Sequence, residues 1–284
     1  MKYSGYWHGD YRMEPPLIAR IITCAVVLIF WGNSVTASDA VYMARDYAFT
    51  GPDQVVAGWV TVTLDNQGKD LHQLQVVKLP QGKTLDDFTT EIATNHNRLP
   101  SWVLRRGGPN GIVPGEQALA TVQLDSGDYV VICGIPDGHG IPHVALGMWK
   151  ALRVLPAPSK NDGRPAADVT ITEMDFSFNL SHPLSPGATS VHVANKGTQA
   201  HEVVVVQLAP DATATSFLDA FEPGSPVSPA GKPVGGLVGL EPGGEGFFTI
   251  NFVKGRYGLI CFLPDLVRGA PHFTRGMLLD VTVE

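Results

Sequence analysis

The sequence predicts an all-β protein built as two tandem Greek-key β-sandwich domains. Three observations carry this reading. Short runs of β-forming residues alternate with polar ones, Gly- and Pro-rich turn signals separate the runs, and the second half of the chain repeats the first. The 284 residues include 31 Gly and 22 Pro, 44% are hydrophobic and 17% charged. A collagen needs Gly at every third position and a disordered chain needs fewer apolar residues, so both are excluded. The net charge is -7 and there is no Lys/Arg run, which leaves no electrostatic footprint for nucleic acid.

In chain order, the first element is a leader. Residues 1–37 combine a polar start holding Lys2, Arg12 and Arg20 with the apolar run Ile21 to Gly32. Small residues at Val35 and Ala37 precede Ser38. The run is shorter than the roughly 20 residues of a spanning helix, so the segment is read as a secretory signal cleaved after Ala37. The remaining chain, with 17 basic and 25 acidic residues, is expected to be periplasmic or extracellular and to have no membrane span. An uncleaved N-terminal anchor is the alternative.

Domain 1 is assigned to 38–155, a linker to 156–166 and domain 2 to 167–284. The linker is marked by the Pro-, Gly- and polar-rich run Leu155 to Pro165. At an offset of 129, Phe49 falls on Phe178, Asn66 on Asn195, Gly68 on Gly197 and His72 on His201. At 128, Pro114-Gly115 falls on Pro242-Gly243 and Cys133 on Cys261. At 129 again, His143 falls on His272 and Met148 on Met277. A repeat this long means two domains and not a solenoid. Strands are predicted at 59–64, 129–132, 190–194, 246–252 and 278–283. Short helices are predicted only around 85–94 and 215–221.

Both repeats carry, in order, a His, a Cys, a His and a Met: His72, Cys133, His143 and Met148, then His201, Cys261, His272 and Met277. Singly, each residue reads more simply as core filling or a hydrogen-bonded surface group. Two imidazoles, a thiolate and an axial thioether form the donor set of a blue copper centre, and the ordered quartet occurs twice. A disulfide between Cys133 and Cys261 is the alternative use of the two mature thiols. His139, in the same loop, competes with His143 as a ligand but has no counterpart in the second repeat. His8, His96, His182 and His192 also lack counterparts and are expected at the surface or in packing.

On these quartets, and on Asn66-Gln-Gly68 and Asn195-Lys-Gly197 ahead of the first His, the chain resembles the cupredoxin family of type 1 copper proteins across both repeats. Its Cys-to-Met loop is more similar to that of the copper nitrite reductases than to the shorter loop of plastocyanin. The resemblance implies one type 1 copper per domain, held by the two quartets, and one-electron transfer. It departs from the family after the first His, where Gln73 and Glu202 stand in place of Asn. Glu202 is expected to favour Cu(II) at the second site. Ile132 and Ile260 occupy the positions where a nitrite reductase places a type 2 copper His, and the His-x-His pairs of a trinuclear cluster are missing. The expected function is therefore a non-enzymatic, exported electron carrier serving a redox protein such as a cytochrome. Copper delivery or storage, and a metal-free interaction module, are the alternatives.

Overall fold

The computed structural model describes residues 38–95, 99–158, 163–221, 225 and 227–284. The expected leader, His8 and His96 lie outside them. Among the described residues no helix is long and apolar enough to cross a membrane.

The N-terminal half contains β1 (Ser38–Arg45), β2 (Ala48–Thr50), β3 (Gln54–Val56), β4 (Gly58–Asn66), β5 (Gln75–Lys78), β6 (Leu104–Arg105), β7 (Gln117–Leu124), β8 (Gly127–Ile132) and β9 (Trp149–Leu155). The C-terminal half contains β10 (Val169–Met174), β11 (Ser177–Leu180), β12 (Gly187–Asn195), β13 (His201–Leu208), β14 (Gly231–Leu240), β15 (Glu245–Phe252), β16 (Gly255–Ile260) and β17 (Leu278–Val283). The alternation read from the sequence is the burial alternation of the strands: in β7 every second residue is buried, and in β4 Val60, Val62 and Leu64 face inward while the Thr residues between them do not. Helix α1 (Leu85–Thr94) starts at a capping box in which Thr84 and Asp87 satisfy each other's backbone N–H, and it buries Phe88 and Ile92. Helix α2 (Ala214–Leu218) uses Thr213 and Ser216 in the same way and passes into a 3₁₀ turn, Asp219–Phe221.

Each half is a two-sheet sandwich, and the halves share a sheet. One eight-stranded sheet runs β11-β10-β12-β15-β7-β4-β1-β2, with β15 of one half antiparallel to β7 of the other. The facing layers are β3-β9-β8-β5-β6 and β14-β13-β16-β17. These two layers are stitched together by residues 106–112, which bridge to β14 at Arg106 and Leu240, Pro109 and Leu237, and Ile112 and Val234. Leu237 lies 128 positions after Pro109, so the segment pairs with its own counterpart about an approximate two-fold axis. The pairing covers edges that would otherwise present unpaired N–H and C=O groups. Where the backbones come closest only glycine fits. A Cβ on Gly108 (φ +133°) would lie 2.1 Å from the Leu74 carbonyl oxygen, and one on Gly236 (φ +117°) 2.1 Å from that of Val203.

Apolar burial is continuous across the seam. The largest cluster includes Tyr42, Leu64 and Tyr129 from one half and Phe248, Phe252 and Tyr257 from the other. Burying one such side chain fully contributes about 1.5–3 kcal/mol.

Candidate metal centres

The four candidate donors of each half are drawn from two places. His72 sits just before β5 and His201 opens β13, each held to the neighbouring strand: His72 N and O pair with Ile112 O and N, and His201 pairs with Leu240. The Cys, the second His and the Met come from one loop that folds back on itself. Cys133 N donates to Met148 O (3.2 Å), Val144 N to Cys133 O (2.8 Å) and Met148 N to His143 O (2.9 Å). Cys261, Phe273, Met277 and His272 repeat the pattern at 3.2, 3.0 and 3.2 Å. Each loop contains a 3₁₀ turn, His143–Leu146 or His272–Arg275, that ends on a left-handed glycine, Gly147 (φ +100°) or Gly276 (φ +98°). This explains why Gly-Met recurs in the sequence: glycine reverses the chain so that methionine follows as a fully buried residue.

The donor atoms converge. Nδ1 of His72 lies 3.2 Å from Nδ1 of His143, and the Cys133 Sγ lies 3.4 Å from the latter and 3.9 Å from the former. In the second half, Nδ1 of His201 and His272 are 3.1 Å apart and Cys261 Sγ is 3.3 Å from His272 Nδ1. Every one of these six residues is buried. The structure therefore groups His143, and not the exposed His139, with His72 and Cys133. Both thiols are free and each lies in its own half's site, so the disulfide alternative fails. His182 is exposed. His192 packs against Phe247 and binds Glu245, away from both sites.

Second-layer partners set the tautomers. Asp46 Oδ1 accepts from His72 Nε2 at 2.8 Å, and Asp175 Oδ1 accepts from His201 Nε2 at 2.7 Å. Burial pushes both carboxyls up. Hydrogen bonds outweigh it, from His72 and the Lys69 and Asp70 amides for Asp46, and from Thr198 and His201 for Asp175. Asp46 is held below its ordinary range and Asp175 at about 2. An ionised carboxylate only accepts, so Nε2 carries the proton and Nδ1 presents a lone pair inward. His272 Nε2 donates to Gln199 Oε1 (3.0 Å), which also accepts from Leu266 N, so its Nδ1 is bare too. His143 Nε2 is buried without a partner.

Burial lowers the basicity of His143, His201 and His272, the last to about 4, so these imidazoles are neutral at pH 7. Burial pushes the Cys133 thiol up to about 12 and holds the Cys261 thiol well above its ordinary value, with the Glu202 and Glu173 carboxyls adding to the latter. In the second half, two inward lone pairs and one sulfur therefore face a common point, and a single thiol proton satisfies only one of them. A soft cation satisfies all three, and this His, Cys and His donor set fits copper; Met277 of the same loop is buried and bonded through its backbone to Cys261 and His272. Gly68 and Gly197 protect this arrangement. A Cβ there would lie 2.4 Å from the Asp46 or Asp175 oxygen and 2.7 or 2.6 Å from the His Nε2 it holds.

Asp46 and Asp175 escaped the sequence reading, although they share the 129 offset. So did Tyr47 and Phe176, whose rings lie 4.6 Å from His143 and 5.1 Å from His272. Asn66 and Asn195, read as turn residues, pin the ligand segment: Asn66 Nδ2 donates to Asp70 O and Ile112 O, and Asn195 Nδ2 to Gln199 O and Leu240 O. Two buried carboxyls distinguish the second half. Glu202 Oε1 accepts from Phe262 N (3.2 Å), and burial pushes it up to about 7. Glu173 has no partner for either carboxyl oxygen and stands where the first half has Ala44.

The sequence matches no protein-family model and no curated protein. Solved structures similar to it include a copper nitrite reductase from Nitrosomonas europaea (16% identity over 88% of this chain and 94% of that one, TM-score 0.27). A multicopper oxidase shares 13% identity over 87% and 88% of the two chains (TM-score 0.25). The blue copper protein auracyanin A from Chloroflexus aurantiacus shares 18% identity over 42% of this chain and all of its own (TM-score 0.30). Overlaps this loose carry no argument. The fold class here rests on the strand order, and the sites rest on the donor geometry.

Proposed function

We propose that this protein is a cupredoxin-type electron carrier that binds one type 1 copper in each half and works outside the cytoplasm. The observation carrying the reading is the twofold occurrence of buried His Nδ1, Cys Sγ and His Nδ1 within 4.8 Å of one another. His72, Cys133, His143 and Met148 would hold one copper, and His201, Cys261, His272 and Met277 the other. Bound there, copper supplies a one-electron Cu(I)/Cu(II) couple. The chain's part is to hold the donors in place without the metal. Asp46 and Asp175 orient the first imidazoles, Gln199 orients His272, the Cys-to-Met hydrogen bonds fix the loop, and burial excludes water. Because little has to move when the charge changes, such a site suits fast electron exchange. Ile132 and Ile260 offer no ligand for a second, catalytic copper, which supports a carrier over an enzyme. The acidic chain suits a basic face on a redox partner such as a cytochrome.

Loading the protein with Cu(II) and recording a visible spectrum with a metal count tests the reading. Two coppers per chain and an intense thiolate-to-copper band that bleaches on reduction are expected. A colourless, copper-free protein overturns it.

A further inference from the structure

The approximate two-fold axis sets residues 106–112 of the N-terminal half against their own counterpart, β14, in the other half. Gly108 O accepts from Val238 N (3.0 Å), and Gly236 O accepts from Asn110 N (3.2 Å). The backbones are matched but the side chains are not. Val238 is the counterpart of Asn110 at an offset of 128, and Gln73 is the counterpart of Glu202 at 129. Asn110 is 1% exposed and fully engaged. Its Nδ2 donates to Glu202 Oε2 (3.3 Å), Val203 O (3.2 Å) and Leu237 O (3.3 Å), and its Oδ1 accepts from Gly111 N (2.7 Å). Glu202 follows the ligand His201. Its other carboxyl oxygen accepts from Phe262 N, the residue after Cys261, and its own amide hydrogen-bonds to the Cys261 sulfur. At the mirror position Val238 has no donor to offer Gln73.

From this network we infer that Asn110 of the N-terminal half is a positioning residue for the second metal centre. It fixes Glu202, and through Glu202 the backbone just after Cys261 and an amide donor to the Cys261 sulfur. The inference rests on the two-copper reading above. It assigns the residue to the site that is distant in sequence: Asn110 lies two residues from Ile112, the backbone partner of His72, yet its side chain serves Cys261 and His201. Partners of this kind, once removed, typically cost 10- to 100-fold in metal affinity.

The test uses the full chain in two backgrounds, Cys133→Ser, which leaves the second centre, and Cys261→Ser, which leaves the first. Asn110→Val installs the residue that stands at the mirror position. Copper retention against a chelator and the position of the thiolate-to-copper band are read in each. The expected result is a roughly 10- to 100-fold loss of copper affinity and a shifted band in the Cys133→Ser background, with both unchanged in the Cys261→Ser background. Equal effects in both, or an effect on the first centre alone, overturn the inference. Should Asn110→Val fail to fold, Glu202→Gln carries the test. It keeps the acceptor for Phe262 N but turns an amide N–H₂ toward Asn110, so the second centre alone is again expected to change. If the unmutated chain binds no copper, the functional reading fails. If it binds two and only the first centre responds, the inference fails alone.

Discussion

The buried carboxyl of Glu173 makes the stability of the apoprotein depend on pH in a calculable way. Its side chain is fully enclosed among inward-facing residues of β10, and neither oxygen has a partner. Burial first, and then the neighbouring Glu202 carboxyl, push it well above the ordinary value of 4.5. The folded chain therefore keeps a proton that the unfolded chain has lost. The native state binds more protons, so stability must fall as pH rises. Its contribution is fully present below about 4.5 and is lost at about 1.4 kcal/mol per pH unit for as long as the folded carboxyl holds its proton. Glu173→Gln has no such proton to lose. Urea unfolding of metal-free wild type and variant at half-unit steps from pH 4 upward should give a difference that is constant at the acid end. Above 4.5 it should grow in the variant's favour by about 1.4 kcal/mol per unit. Other titrating groups, including Glu202 and the buried histidines, are common to both proteins and largely cancel in the difference. A difference that stays flat between pH 5 and 7 would refute the reasoning and show that Glu173 is charged and solvated in the fold.

Four other outcomes follow from the two proposed sites. Cys133→Ser should remove one centre's visible band and leave the other's, and Met148→Leu should keep the colour while raising that centre's reduction potential. An unchanged spectrum in Cys133→Ser removes the thiolate from the ligand set. Asp46→Asn or Asp175→Asn should lower copper affinity about 10- to 100-fold at its own centre, because the amide no longer fixes the imidazole tautomer. Competition with a chelator measures this. Copper uptake by the second site at pH 7 should release about one proton, since burial keeps the Cys261 thiol protonated while His201 and His272 are already neutral. A pH indicator in weak buffer reads the release, and none would mean that sulfur does not bind as thiolate.

Much of the architecture was legible because it follows from local rules. Strand alternation, turn residues and capping residues act over a few positions, so β4, β8, β12, β15, β17 and α1 could be placed from the sequence. The donor quartets were legible because they recur in order. Asp46, Asp175 and Gln199 were not picked out, since an acidic or amide residue in a loop has no signature until the fold brings it to an imidazole 26 or 73 positions away. Residues 106–112 carried no strand alternation at all, and their pairing with β14 is a long-range event.

The sequence by itself determined the all-β class, the candidate donors and their order along the chain, because periodicity and residue chemistry are written locally. Only the tertiary structure decided how the halves meet, which nitrogen of each histidine faces inward, and that Asn110 reaches Glu202 in the other half. Those outcomes depend on contacts between residues separated by up to 164 positions, as between Gln75 and Gly239. No pattern along the chain encodes such contacts until the backbone polar groups of both halves have to be paired at one seam.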